Sequence, residues 1–163
     1  MQQPKTVADS AVVMTSLMLP GDANPQGQVH GGTIMKLVDT AAAVAAHRHT
    51  RGLVVTARID DMSFRASVQV GDLVTLRASV NAAWQTSMEV GVRVETENIF
   101  TGEIHHTASA YLVLVAVDED RRPRPVPQLV AQTPEEHRRM AQAQDRRARR
   151  IAVHRTDTPP AST

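Results

Sequence analysis

Hydrophobic and polar positions change period along this chain, and the changes mark its elements. Between Ile34 and Ala46 ten of thirteen residues are apolar, and only Lys36, Asp39 and Thr40 interrupt them. Such a run predicts a helix over residues 32–47 that is buried on most sides. Its alanines would let a sheet approach closely. From Leu53 onward the period becomes two. Leu53, Val55, Ala57 and Ile59 alternate with Val54, Thr56 and Arg58, and Val74, Leu76, Ala78 and Val80 alternate with Thr75, Arg77, Ser79 and Asn81. Met88, Val90, Val92 and Val94 give the cleanest half-buried strand, and a longer run from His105 to Val117 completes the set. The breaks at Gly71-Asp72, at residues 81–86 and at Thr101-Gly102 are short and carry turn residues, as an antiparallel meander requires. An earlier strand is expected over Val12 to Met18, ending at Pro20-Gly21. A helix ahead of antiparallel strands, with no repeated βα unit, predicts an α+β fold: an antiparallel sheet wrapped around one long central helix.

Composition narrows the setting. The 163 residues contain no Cys, which removes disulfides, thiolate metal ligands and a Cys nucleophile, and points to a reducing compartment. The amino-terminal residues lack the apolar run of a signal peptide, and no stretch is long enough to cross a bilayer, so the expected location is cytoplasmic. Phe64, Trp84, Phe100 and Tyr111 are the only aromatics, too few for the stacking platforms of single-strand nucleic-acid binding. Charge is unevenly placed. Residues 1–120 carry a net −5, whereas residues 121–155 carry ten Arg against Glu135, Glu136 and Asp145, a net +7. The chain divides into a domain over residues 1–130 and a basic tail over residues 131–163. In the tail, Thr133 as N-cap, Pro134 in the first turn and the acidic Glu135 and Glu136 predict a helix running to Val153, followed by a disordered end. Such a helix is a solvated or docking element, or alternatively a binder of nucleic acid or of a phosphorylated ligand.

Candidate chemistry centres on Asp39. A carboxylate within a buried helix loses solvation unless something compensates it. At 100° per residue Asp39 falls beside Met35, Ala42 and Ala46, at the edge of the apolar face. A salt bridge to Lys36 or an Arg and a catalytic role are both open on spacing alone. Upstream, the Gly-rich loop 21–32 runs into the helix. The N–H groups of Gly31 and Gly32 at its start could stabilise a developing oxyanion, or the glycines could merely permit a tight turn. Asn24 and His30 are the polar side chains this loop could aim at the same point.

The series Asn24, His30-Gly31-Gly32 and Asp39 continues through Ile34 to Ala42, Val54-Val55-Thr56, Asp61 to Phe64, Val70-Gly71-Asp72 and Thr86 to Val90. It resembles the acyl-CoA thioesterases of the hotdog fold, near the YciA-like and brain acyl-CoA hydrolase branch, over residues 10–127. The resemblance implies thioester hydrolysis of acyl-CoA in sites shared across a homodimer, with dimers assembling to a hexamer or tetramer. It makes Asp39 the general base or nucleophile and Asn24 a positioning group from the facing subunit. Gly32, helped by Gly31 and His30, would stabilise the oxyanion. Thr56 stands at a strand position where relatives present a polar side chain, and Phe64, Arg65, Thr86, Ser87 and Met88 lie where they line the coenzyme A channel. At Phe64-Arg65-Ala66-Ser67 the sequence departs from the Phe-Leu-x-Pro type of pattern common in relatives.

Thioester hydrolysis needs an activated water or nucleophile, a stabilised oxyanion and little help for the thiolate, so no metal or cofactor is expected. His47, His49, His105 and His106 have no acidic partner at ligand spacing. The alternatives are a hotdog hydratase or dehydratase, which would set His30 and Asp39 to move an α-proton, and a non-catalytic acyl-CoA- or RNA-binding module.

Overall fold

The computed structural model describes residues 3–156. In chain order it contains β1 (Lys5–Thr6), α1 (Val7–Ser10), β2 (Val12–Leu17), a 3₁₀ turn (Pro20–Asp22), α2 (Gly31–Thr50), β3 (Val54–Phe64), β4 (Asp72–Ala83), β5 (Ser87–Asn98), β6 (Ile104–Ala116), β7 (Leu129–Val130) and α3 (Pro134–Thr156). Strands β2-β4-β5-β6-β3 form one antiparallel sheet in that order. The expected hotdog architecture is present, with α2 laid along the concave face. Two elements escape the periodicity: α1, and a parallel pairing of β1 with β7 that fastens the start of the chain to the segment before α3. The expected disordered end lies outside the described residues from 157 onward. None of the described helices is long and apolar enough to cross a membrane.

The core sits between α2 and the sheet. Ile34, Val38, Ala41, Ala42, Ala45 and Ala46 on α2 are enclosed against Val74, Leu76, Val80, Met88, Val90, Val94, Leu112 and Leu114. The period-two reading of β4 and β5 therefore holds residue for residue. On β3 it does not. Val54 and Thr56 pair with the inward Ala116 and Leu114, so they face α2, while Val55 faces outward. Register shifts after Thr56 and after Ile59 leave Ala57 and Asp60 as extra residues, and each bulge resets which side chains face inward. Alternation alone assigned the opposite face because a bulge leaves no mark in a hydrophobic pattern.

The tail helix is docked rather than solvated. Its N-terminus carries the expected cap: Thr133 Oγ1 accepts from Glu136 N–H (3.2 Å), and Glu136 accepts from Thr133 N–H (3.1 Å). It crosses the outer face of the sheet, where Glu89 of β5 is wholly buried. Arg146 grips that carboxylate with two bonds, Nε to Oε2 (3.1 Å) and Nη2 to Oε1 (2.7 Å), and lies 3.7 Å from the Tyr111 ring centre. Arg150 bridges Glu89 (3.6 Å) to Asp60, the bulged residue of β3, which Arg58 also pairs at 3.2 Å. Asn81 Nδ2 adds a bond to Glu89 Oε1 (3.3 Å), and Gly91 leaves it room: a Cβ there would stand 2.6 Å from that amide. Trp84 Nε1 donates to Gln144 on the helix (3.0 Å).

Two stability predictions follow from buried polar groups. Arg146→Ala leaves Glu89 enclosed with only Arg150 and Asn81 nearby, and should cost about 3 kcal/mol in denaturant unfolding. On α2, His49 is enclosed, its Nε2 bonds the Pro127 carbonyl (2.9 Å), and its Nδ1 has no partner. Burial pushes its pKa below the ordinary 6.5, against the raising effect of the Pro127 bond. The unfolded chain therefore takes up the proton first as pH falls. Unfolding free energy should be level above about pH 7 and decline below about pH 6.5, by at most about 1.4 kcal/mol per pH unit for this residue. His49→Gln should reduce that slope, and an unaltered slope would assign it to other groups.

Candidate active site

Asp39 projects from the third turn of α2 toward β3, one of the two edge strands of the sheet. Thr56, turned inward by the register described above, donates its hydroxyl to Asp39 Oδ1 at 2.7 Å. Among the described residues no Lys or Arg lies within ion-pair distance of Asp39, so the salt-bridge alternative finds no partner. Asp39 is half-buried rather than desolvated within one chain, because the seam between α2 and β3 is open on that side. The same openness runs along the strand: Leu53, Val55, Ile59 and Phe64 are all exposed at more than a third.

The start of α2 is built by its loop. His30 is the N-cap, and its Nδ1 accepts from Gly32 N–H (2.9 Å), which fixes the proton of a neutral ring on Nε2. The Gly32 donor is thus already engaged. Gly31 N–H has no partner among the described residues. Asn24 is tied into its own turn: its Oδ1 accepts from Gln26 N–H (2.9 Å) and Gln28 N–H (3.2 Å). No contact joins it to Asp39 within the chain. Phe64 and Arg65 do come to the helix start, sharing with Gly31 and Ile34 a cleft of about 300 Å³ that also includes Gln28 and Ser67.

Thr86, Ser87 and Met88 lie elsewhere. Ser87 pairs with Val115 at one end of β6, whereas Phe64 pairs with Ala108 near the other, roughly 20 Å away. One chain therefore does not bring the two groups together. Met88 is wholly enclosed in the core, leaving Thr86 and Ser87 as the accessible members. Among the described residues no cluster of His, Asp or Glu is placed as metal ligands would be.

Known proteins share this fold and much of this sequence. The Thioesterase superfamily model matches residues 26–101. Protein VdlD of Helicobacter pylori is 37% identical over 145 residues, covering 89% of this chain and 83% of its own length. A hexameric acyl-CoA thioesterase solved in its apo form is 40% identical with a TM-score of 0.90, over 94% of this chain and 98% of that one. An acyl-CoA hydrolase of Staphylococcus aureus, solved with butyryl coenzyme A and coenzyme A, is 31% identical with a TM-score of 0.84, over 93% and 95% of the two chains. Further structures of that enzyme carry alanine in place of an Asp, an Asn or a Thr. With fold and sequence in agreement, this chain belongs to the hotdog-fold acyl-CoA thioesterases and is an acyl-CoA hydrolase.

Proposed function

We propose that the protein hydrolyses fatty acyl-CoA to fatty acid and coenzyme A in the cytoplasm, with Asp39 at the reacting centre. The observation that carries this reading is the Asp39–Thr56 hydrogen bond at 2.7 Å on an open seam. A second observation supports it. The Asn, Asp and Thr replaced in the Staphylococcus aureus enzyme stand 15 and 17 residues apart, as Asn24, Asp39 and Thr56 do here.

Asp39 takes a proton from water as it attacks the thioester carbon, or attacks that carbon itself to form an anhydride that water then opens. Thr56 holds one carboxylate oxygen, which leaves the other to act. The carbonyl oxygen gains negative charge and is met by N–H groups at the start of α2. Gly31 is free to donate, and Gly32 becomes so when the His30 ring turns aside. The C–S bond then breaks, and the thiolate departs without help from an acid, since a thiol is a far better leaving group than an alcohol.

The acting unit is a homodimer, assembled further to a hexamer or tetramer. The unpaired outer edge of β3 and its exposed apolar side chains favour a second copy there. Asn24 reaches Asp39 across that interface, and Thr86 and Ser87 of one chain complete a channel begun by Phe64 and Arg65 of another.

Asp39→Asn should lower kcat for acyl-CoA hydrolysis by about 100-fold or more without loss of thermal stability, and Thr56→Val by about tenfold. Wild-type turnover in the Asn variant would end this assignment. Separately, Asn24→Ala and Asp39→Asn chains unfolded together and refolded as mixed dimers should regain activity. Random pairing restores both groups in about a quarter of the sites. Mixed dimers as inactive as their parents would show that each site is built from one chain.

A further inference from the structure

Thr56 faces Asp39 through an irregularity four residues further along β3. After the second bulge Asp61 pairs with Tyr111, and before it Ile59 pairs with Leu112, which leaves Asp60 as the extra residue. Were the ladder regular at this point, Asp60 would take Leu112 and Ile59 would take Val113. With the first bulge kept, Thr56 would then fall against Val115, on the side of β6 that faces away from α2. The hydroxyl would lose the carboxylate it now meets at 2.7 Å. One extra residue therefore decides which face Thr56 presents.

Packing does little to select the bulged register. None of the eleven residues of β3 is buried, whereas β4, β5 and β6 bury six each. A second copy along the outer edge would not select it either, because a two-fold axis brings the same register to both strands. What opposes regular pairing is the Asp60 carboxylate. Its side chain is only 8% exposed, on the outer face, and is held by Arg58 at 3.2 Å and by Arg150 of α3. Against Leu112 it would point into the core instead, where a carboxylate without a partner is strongly disfavoured. Arg150 is itself fixed, 3.6 Å from the enclosed Glu89 and 5.5 Å from the Trp84 ring centre. Among the described residues, Thr56 and Asp60 are the two side chains of β3 that hydrogen-bond to another element, one on each face.

We infer that Asp60 and Arg150 are positioning residues for acyl-CoA hydrolysis: their ion pair on the outer face keeps the second bulge of β3 in place, and the bulge keeps Thr56 on Asp39. The inference rests on the roles given to Asp39 and Thr56 above. The tail helix thereby acts on the reaction from across the sheet, touching neither the thioester nor Asp39.

Steady-state kinetics of full-length variants, with hydrogen exchange across β3, test this. Asp60→Val makes the regular register compatible with the core, and should lower kcat about tenfold, as Thr56→Val does, with KM within about twofold of wild type. Arg150→Ala should lower kcat about threefold, and Arg150→Lys, which keeps a charge for Asp60, should retain most of the wild-type value. Neither Asp60→Val nor Arg150→Ala should lower kcat further in a Thr56→Val protein, whereas losses that act elsewhere multiply. Gln144→Ala breaks the bond to Trp84 and loosens α3 away from β3, so its kcat should match wild type. Amides of β3 should exchange faster in Arg150→Ala and at the wild-type rate in Gln144→Ala. Losses that multiply with Thr56→Val, an equal loss in Gln144→Ala, or a changed mass in light scattering would assign the effect to general loosening or to assembly and overturn the proposal. Wild-type exchange across β3 in Arg150→Ala would do the same. Full turnover by Asp60→Val and Arg150→Ala beside an inactive Asp39→Asn overturns this proposal and leaves the role of Asp39 standing, whereas full turnover by Asp39→Asn overturns both.

Discussion

Four alanines on one side of α2 set the distance on which the molecule depends. Ala41, Ala42, Ala45 and Ala46 are completely enclosed and carry no bulk, so the helix axis lies close over β4 and β5. Larger residues there would force the helix outward or strain its neighbours. That close approach brings Asp39, two and three residues before the first alanines, within a single hydrogen bond of a strand at the margin of the sheet. The carboxylate's position is therefore inherited from apolar packing on the adjoining face of the same helix.

The strand that meets it is shaped by irregularity. Without the extra residue at Ala57, the residues on its two sides could not keep both Thr56 and Ile59 directed at α2. Asp60, the second extra residue, is turned to the convex face, where Arg150 and Arg58 neutralise it. One stretch of β3 thus serves two surfaces: its inward side meets α2, and its outward side anchors α3.

Much of this was legible in the sequence. The apolar run of α2 and the alternation in β4 and β5 are strong signals, and they mark the elements that form the core. Asp39 stood out because a charge within that run is costly. Its partner Thr56 was visible only through family resemblance, since simple alternation put Thr56 on the other face and bulges are set by pairing across strands. The cap that His30 places on Gly32 likewise depends on a side-chain rotation no pattern encodes. Glu89 occupies a polar position of a cleanly alternating strand and reads as solvent-facing; it is buried by a helix more than 50 residues later, a contact without local trace. The two-residue strands β1 and β7 exist only by virtue of each other.

The burial of Glu89 belongs to the arriving helix, not to the sheet, and this orders events during synthesis. Every strand of the five-stranded sheet precedes α3 in sequence, and a sheet without α3 would leave the Glu89 carboxylate on its uncovered outer face, in water. Docking of α3 removes its water and supplies Arg146 in the same step. A nascent chain therefore never holds this charge enclosed and unpaired. The same coupling bounds the harm of a lost arginine: undocking the helix returns the carboxylate to water, so the penalty cannot exceed the free energy with which α3 is held.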